Sequence, residues 1–300
     1  MKKYMIGVDI GGTNIRVALI NDEMKIIRKE TALTSDFPLI DDFLQEILRL
    51  IKIVDCKREA DCIGIAIPTP WKKGQSVIVD STNVPCLENV NIDLFQKYFV
   101  GYTTYFENDV NVIALLEANL GAAQNYDNSI YISISTGIGC GIVINNQIYH
   151  GAHGYAGEIG NILLQKAYGE VTNNNFEMKC SGKALDGESS RLFGEGAKAK
   201  DLFLQYKNGD RNAKMCLETW IDDLSTGFAS VIQMFDPEVI VLGGPIVFHH
   251  EWVLEVLKTE ISKKVLGNLA NHIKLALAKY ELEAGIIGAG YYAFNQNKGE

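Results

Sequence analysis

Three glycine-bearing turns and two carboxylates supply the residue types from which a phosphoryl-transfer site can be built. The first turn, Asp9-Ile10-Gly11-Gly12-Thr13-Asn14, joins two apolar runs. Adjacent glycines let backbone N–H groups turn toward an oxyanion with no Cβ in the way. Thr13 adds a hydroxyl donor, and Asp9 sits where a carboxylate could hold a hydrated magnesium ion. A Gly-Gly pair between strands is equally the material of an ordinary tight hairpin, so this turn alone decides nothing. Thr136-Gly137-Ile138-Gly139-Cys140-Gly141 repeats the design, and two such turns could clasp one polyphosphate from both sides. A third pair, Gly243-Gly244, follows the apolar run VIVL and could let a flat adenine ring approach the backbone. The chain has no G-x-x-x-x-G-K-[ST] loop and no GxGxxG opening a helix, so P-loop and Rossmann sites are excluded by their motifs.

Glu107-Asn108-Asp109 stands just before the apolar-patterned stretch VNVIALLEANLGA. Aspartate in that place can simply cap a helix. It can also act as a base: the helix dipole keeps a carboxylate there ionised, ready to accept a proton from a hydroxyl. The segment GAHGYAGEIGN (151–161) packs four glycines around Glu158 and ends at Asn161. Glycine-dense segments without periodicity form functional loops or tight bends. Glu158 and Asn161 could grip sugar hydroxyls there, while His153 fits a structural loop bond as well as a functional one.

The elements that must position these residues are α/β in pattern. Short β-branched runs predict strands at Tyr4–Val8, Ile15–Ile20, Asp61–Ile67, Ser76–Val79, Ser129–Ser135, Gly141–Tyr149, Glu238–Leu242 and His272–Ala278. Helical periodicity predicts Asp36–Ile53, Asp109–Gly121, Ala213–Phe235, Glu251–Val265 and Glu283–Phe294. Gly169–Asn175 reads as a loop and Asp201–Lys214 as a second surface stretch. One internal echo stands out: YMIGVDIGGTNIRVALI near the start and SIYISISTGIGCGIVI at 129–144 both read strand, Gly/Thr turn, strand. Two such openings imply a duplicated α/β architecture with a cleft between two lobes.

Composition narrows the partners. The 28 basic and 37 acidic residues give a net charge of −9, and no basic stripe marks a nucleic-acid surface. Any phosphate must therefore be held by local backbone donors and magnesium. No stretch reaches the roughly 18 apolar residues that span a bilayer, and the opening MKKYMIGVDI reads as a first strand rather than a signal peptide. No membrane association is expected, and a cytoplasmic location is. Six scattered cysteines include no CxxC knuckle and fit free, partly buried thiols.

Taken in order, DIGGTNIR, ENDVNV, STGIGCG, GAHGYAGEIG and VLGGPI resemble the ROK family (repressors, open reading frames, kinases) of the actin-like ATPase and hexokinase superfamily, from about residue 4 to about 293. The resemblance implies a two-lobed, duplicated RNase H-like α/β fold with an interlobe active-site cleft, a smaller lobe of 1–110 plus 284–300 and a larger one of 111–283. It implies an ATP- and Mg²⁺-dependent sugar kinase, working as a homodimer on the 6-hydroxyl of a hexose or N-acetylhexosamine. Asp109 falls on the family's base. Asn83, Asn108, Glu158 and Glu177 fall on sugar-contacting positions, Glu177 because FEMKCSGKAL looks like the family's LExxxSGxAL segment. The nucleotide falls to Asp9, Gly11–Asn14, Thr136, Gly137, Gly139, Gly243 and Gly244, with Asp9 and Asp109 as the carboxylates nearest any magnesium.

Departures from the family pattern carry expectations of their own. Family kinases carry a histidine after GEIG and a CxCGxxGC loop that together bind structural zinc. Asn161 stands in the histidine's place, and ILLQKAYGEVTNNN replaces the loop without a cysteine. Structural zinc is therefore expected to be absent. The family's Pro-Gly is here Pro68-Thr69, which alters the sugar pocket. Local wording (KCSGKAL, FDPEVIVLGG, TNVP) looks most like D-allose kinases, with glucokinases and N-acetylmannosamine kinases as competitors. The rival functions are a sugar-responsive transcriptional regulator and a sugar sensor that does not turn over.

Overall fold

A computed structural model describes residues 3–164 and 174–298. From the N-terminus the elements run β1 (Tyr4–Ile10), β2 (Asn14–Asn21), β3 (Ile26–Leu33), α1 (Ile40–Val54), β4 (Ala60–Ile67), α2 (Asp93–Tyr98), β5 (Thr103–Asn108) and α3 (Asp109–Leu120). They continue with β6 (Ser129–Ile134), β7 (Ile138–Ile144), β8 (Gln147–Ile148), α4 (Phe176–Cys180), α5 (Gly182–Phe193), α6 (Ala199–Lys207) and α7 (Arg211–Phe235). The last are β9 (Val239–Gly243), α8 (Pro245–His249), α9 (Trp252–Ser262), β10 (Leu275–Leu277) and α10 (Ala284–Lys298).

The chain forms two compact units. The first comprises Met1–Gly121, Gln147–Ala156 and Tyr280–Glu300, the second Ala122–Asn146 and Gly157–Lys279. These boundaries keep all of α3 in the first unit and add to it the segment 147–156, whereas the sequence suggested divisions at 110 and 283.

In the first unit, β1 is buried on both faces, which is why YMIGVDI is almost continuously apolar. It pairs antiparallel with β2 and parallel with β4, giving the sheet order β3-β2-β1-β4-β5. α1 presents Phe43, Leu44, Ile47, Leu50, Ile51 and Val54 as one apolar stripe to one sheet face. α3 and α10 cover the other face. The seat of α10 explains two strand glycines: a Cβ on Gly7 would stand 2.1 Å from Ile286 O, and one on Gly64 1.8 Å from Ala289 O. The helix backbone lies directly on the sheet, and only glycine leaves room for it.

The second unit repeats the plan, with its strands in the order β10-β9-β6-β7. β6 pairs antiparallel with β7 and parallel with β9, as β1 does with β2 and β4. The echo in the sequence is thus an echo in topology, with β6 and β7 standing where β1 and β2 stand. α7 carries the core of this unit through Leu217, Trp220, Leu224, Phe228, Val231 and Ile232. Asp210 caps its start by accepting from the Ala213 N–H, and Asp236 ends it in the left-handed region.

Several expected elements differ. Ser76–Val79 is not a strand: Val77 makes one isolated bridge with Asn91. Gly141–Tyr149 breaks at Asn145-Asn146, both at positive φ, into β7 and β8. Asp201–Lys214 is helical for most of its length, forming α6 and the start of α7, because Leu202 and Phe203 are buried anchors within its charged surroundings. Of the loop expected at Gly169–Asn175, positions 169–173 lie outside the described residues.

Candidate active site

The β1–β2 hairpin of the first unit is closed by Gly11 N–H donating to Asn14 O at 2.9 Å. Thr34 pins it from outside: its hydroxyl donates to Gly11 O at 2.7 Å and its N–H to Thr13 O at 3.0 Å. With those carbonyls held, Gly12 and Thr13 are left exposed at the tip. A Cβ on Gly12 would stand 3.3 Å from Asn83 O, so a residue expected at the sugar lies against one expected at the phosphates. Asp9 faces Arg16 across the hairpin in register and accepts from its guanidinium at 3.2 Å. Burial pushes the Asp9 carboxyl up; Arg16 opposes that shift and Glu283 adds to it.

At the β5–α3 junction the helix cap is Asn108 rather than Asp109. Asn108 Oδ1 accepts from the N–H groups of Val110 and Asn111, both at 3.0 Å, and its Nδ2 donates to Thr69 O at 3.0 Å. Asp109 is the first helical residue, and its Oδ1 also receives the Val110 N–H at 2.9 Å. The capping role open to Asp109 in the sequence is therefore filled by its neighbour, and the helix dipole acts on both. Beneath them lies Glu107, fully buried, whose Oε1 accepts from Asn108 N at 2.9 Å and Asn111 Nδ2 at 3.0 Å. Its Oε2 stands 2.7 Å from His150 Nε2. Sequence reasoning missed both residues. The available signal was a glutamate next to last in the strand TTYFEN, directly after the apolar pair Tyr105-Phe106, where a carboxylate needs dedicated donors.

The glycine-dense segment is laced to the same unit. Ala156 N–H donates to His150 O at 3.2 Å, Lys72 Nζ to Ala152 O at 2.8 Å, and the Tyr155 hydroxyl bonds Asp80. Gly154, at φ 90, lies on the Trp71 backbone. His153 is exposed.

In the second unit the β6–β7 turn is fixed by three contacts. Ser135 N–H donates to Gly137 O at 3.0 Å, Gly182 N–H to Ser135 O at 2.7 Å, and Lys183 N–H to Thr136 O at 3.2 Å. Glu177 underlies this turn: its Oε2 accepts the Ile138 N–H at 2.9 Å and would lie 2.5 Å from a Cβ on Gly137. A Cβ on Gly160 would meet Glu177 Cβ at 3.3 Å and Ile138 O at 3.4 Å. Thr136, Gly137, Glu177 and the turn Ile159–Asn161 thus form one cluster, with Glu158 and Asn161 exposed beside it. Gly139 lies half-buried within β7. Burial, reinforced by the Glu158 charge, pushes the Cys140 thiol up, so it is no nucleophile. Gly243 and Gly244 lie at the end of β9, where added Cβ atoms would meet Tyr131 Oη at 2.2 Å and Ile134 O at 2.4 Å. Internal packing accounts for these two glycines.

Among the described residues no cluster of three or more His, Cys, Asp and Glu side chains could hold a metal ion. A magnesium ion arriving with nucleotide phosphates keeps most of its waters and needs only one or two carboxylates rather than such a cluster, and Asp9 and Asp109 are the two that the sequence leads one to expect beside it. The replaced zinc loop falls largely outside the described residues. No helix among the described residues is long and apolar enough to cross a membrane.

Comparison with known proteins agrees with this layout. A family model, the ROK family, matches residues 5–296. Glucokinase of Thermotoga maritima is 27% identical, over 96% of this chain and 96% of its own. Xylose repressor of Bacillus subtilis is also 27% identical, over 95% of this chain and 75% of the repressor. The ROK hexokinase from Thermus thermophilus superposes with a TM-score of 0.85 at 27% identity, each chain covered in full.

Proposed function

The chain belongs to the ROK family, and on that premise we propose that it is an ATP-dependent sugar kinase that phosphorylates the 6-hydroxyl of a hexose or N-acetylhexosamine. The D-allose, glucose and N-acetylmannosamine classes are the candidate substrates. The observation that carries this reading is the β5–α3 junction. Asn108 supplies the cap, so the Asp109 carboxylate stands in the first turn of α3 without having to serve as the cap itself. The described relatives named glucokinase and hexokinase support the same chemistry.

In this reading Asp109 orients the sugar hydroxyl and takes its proton as the hydroxyl oxygen attacks. Bound ATP with its magnesium supplies the phosphoryl group and screens the charge on it. The turn tip at Gly12-Thr13 and the turn at Thr136-Gly137 present backbone N–H groups to phosphate oxygens. Asn83, Asn108, Glu158, Asn161 and Glu177 make up the sugar-side set. Asn108 and Glu177 already hold structural bonds and act on the sugar through one remaining face at most. Asn161 replaces a histidine of the family pattern and offers an amide instead of an imidazole, so hydroxyl selection differs there.

A coupled ADP-release assay over a panel of hexoses and N-acetylhexosamines tests the proposal, with Asp109→Asn as its control. Turnover with at least one sugar is expected. Asp109→Asn should lower kcat by ~10²-fold or more while sugar binding survives. Near-normal turnover in that variant removes Asp109 from the role of base. The match to a xylose repressor favours a second reading, a sugar-responsive regulator. Sugar binding by calorimetry with no ADP release from any sugar would select it.

A further inference from the structure

Glu107 is a carboxylate with no exposure to solvent, at the last turn of chain before the proposed base. A buried charge is tolerated only when it is paired and hydrogen-bonded. Four polar groups converge on this carboxyl. Asn108 N–H and Asn111 Nδ2 reach Oε1 at 2.9 and 3.0 Å. His150 Nε2 stands 2.7 Å from Oε2. Burial, with the nearby Glu107 carboxyl adding to it, pushes the Tyr292 hydroxyl on α10 up. These partners come from the α3 start, the segment after β8, and α10.

His150 differs from the other three in what it brings. It immediately precedes the glycine-dense segment, and its carbonyl O accepts the Ala156 N–H that closes the first part of that segment into a turn. Its ring is the segment's side-chain link to Glu107, and one carboxylate joins that ring to the Asn108 backbone amide. The same Asn108 then caps α3 through two amides, with Asp109 as the first residue of the helix. We propose that His150 is a positioning residue: acting through Glu107, it fixes the Asn108 cap and so the placement of the Asp109 carboxylate, and it ties the glycine-dense segment to that cap. This rests on the kinase reading only for its consequence in turnover. The mechanical link itself does not depend on it.

The test uses the full chain and two variants. His150→Phe keeps the ring volume and removes the donor; His150→Gln keeps an N–H at about the Nε2 position. Hydrogen–deuterium exchange in His150→Phe should quicken at the amides of residues 108–111 and 151–157 and remain near wild type elsewhere. His150→Gln should restore protection in both. In the ADP-release assay His150→Phe should lose roughly tenfold or more in kcat, since small misplacements of a reacting group cost that much. ATP KM should stay near wild type, and His150→Gln should recover most of kcat. Wild-type exchange at 108–111 in His150→Phe overturns the proposal. So does a lowered melting temperature with exchange at 108–111 unchanged, which would make His150 a purely local prop. If wild-type protein phosphorylates no sugar, the kinase reading falls and the exchange arm still decides the link. Should His150→Phe not fold, His150→Asn, whose donor is drawn back from Glu107, is read by the same two measurements.

Discussion

Replacing Glu177 with alanine removes the acceptor of the Ile138 N–H bond and the side chain that fills the space beneath Gly137. A hydrogen bond to a charged partner contributes about 1.5–3 kcal/mol. If that whole loss fell on the grip of the Thr136–Gly139 turn, binding there would weaken about 10- to 150-fold. The turn is partly open to solvent at Thr136, so water can replace the lost acceptor, and the lower end is the expected value. ATP KM should therefore rise about tenfold in Glu177→Ala. Glu177→Gln retains a carbonyl oxygen for Ile138 and should stay near wild type for ATP. The resemblance assigns Glu177 to the sugar instead, which requires sugar KM to rise in both variants. Steady-state kinetics with ATP varied at saturating sugar, then sugar varied at saturating ATP, separate the two roles. An unchanged ATP KM in folded Glu177→Ala would refute the structural reasoning, as would equal damage in the alanine and glutamine variants.

Gly64→Ala should destabilise the protein, because the new Cβ would meet the Ala289 carbonyl oxygen and carbon at 1.8 and 2.6 Å, backbone atoms that cannot swing aside. Overpacking costs about 1–3 kcal/mol, and at roughly 2–4 °C per kcal/mol the melting temperature should fall by about 2–12 °C; a Tm unchanged by calorimetry would mean that α10 is not seated there. Structural zinc needs about four Cys or His ligands, which ILLQKAYGEVTNNN lacks. Elemental analysis should find no stoichiometric zinc, and one tightly held zinc per chain would force a search for ligands elsewhere.

Both hairpins, their glycine turns and the long helices were legible: α1 and α7 carry clear apolar stripes, and α3 and α10 are nearly continuous apolar runs of helical length. α1, α3, α7, α9 and α10 all fall within predicted spans or within a few residues of them. β3 was not legible: IIRKETAL lies at a sheet edge with Arg28, Lys29 and Glu30 in its middle, so no alternation marks it. α5 begins Gly-Lys and carries a glycine, two serines and three charged residues in its remainder, a composition that argues against helix; Ser181 capping Ala184 N–H and buried Leu185 supply what propensity does not. At the candidate site the residue types were readable, but bond assignments were not. Asn108 and Asp109 are adjacent polar residues before the same helix, and only the backbone geometry says which of them caps it. Glu107 and His150 are 43 positions apart in sequence, and no local pattern joins them.

The seat of α10 has a consequence for how the chain is made. On the ribosome, β1, β2, β4 and α3 emerge early, but the sheet face carrying Gly7, Gly64, Met5, Ala18 and Ile20 is closed by Ile286, Ala289 and Ala293, which come near the last of the described residues. All of the second unit is synthesised in between, on the order of 10–30 s at typical elongation rates. During that interval the nascent first unit carries a half-built core with an apolar face bare to solvent or to a chaperone, while the inserted second unit has its complete sequence in hand. Completion of the older half therefore waits on residues made after the whole of the second unit, and the proposed base on α3, which packs beside α10, becomes firmly seated only then.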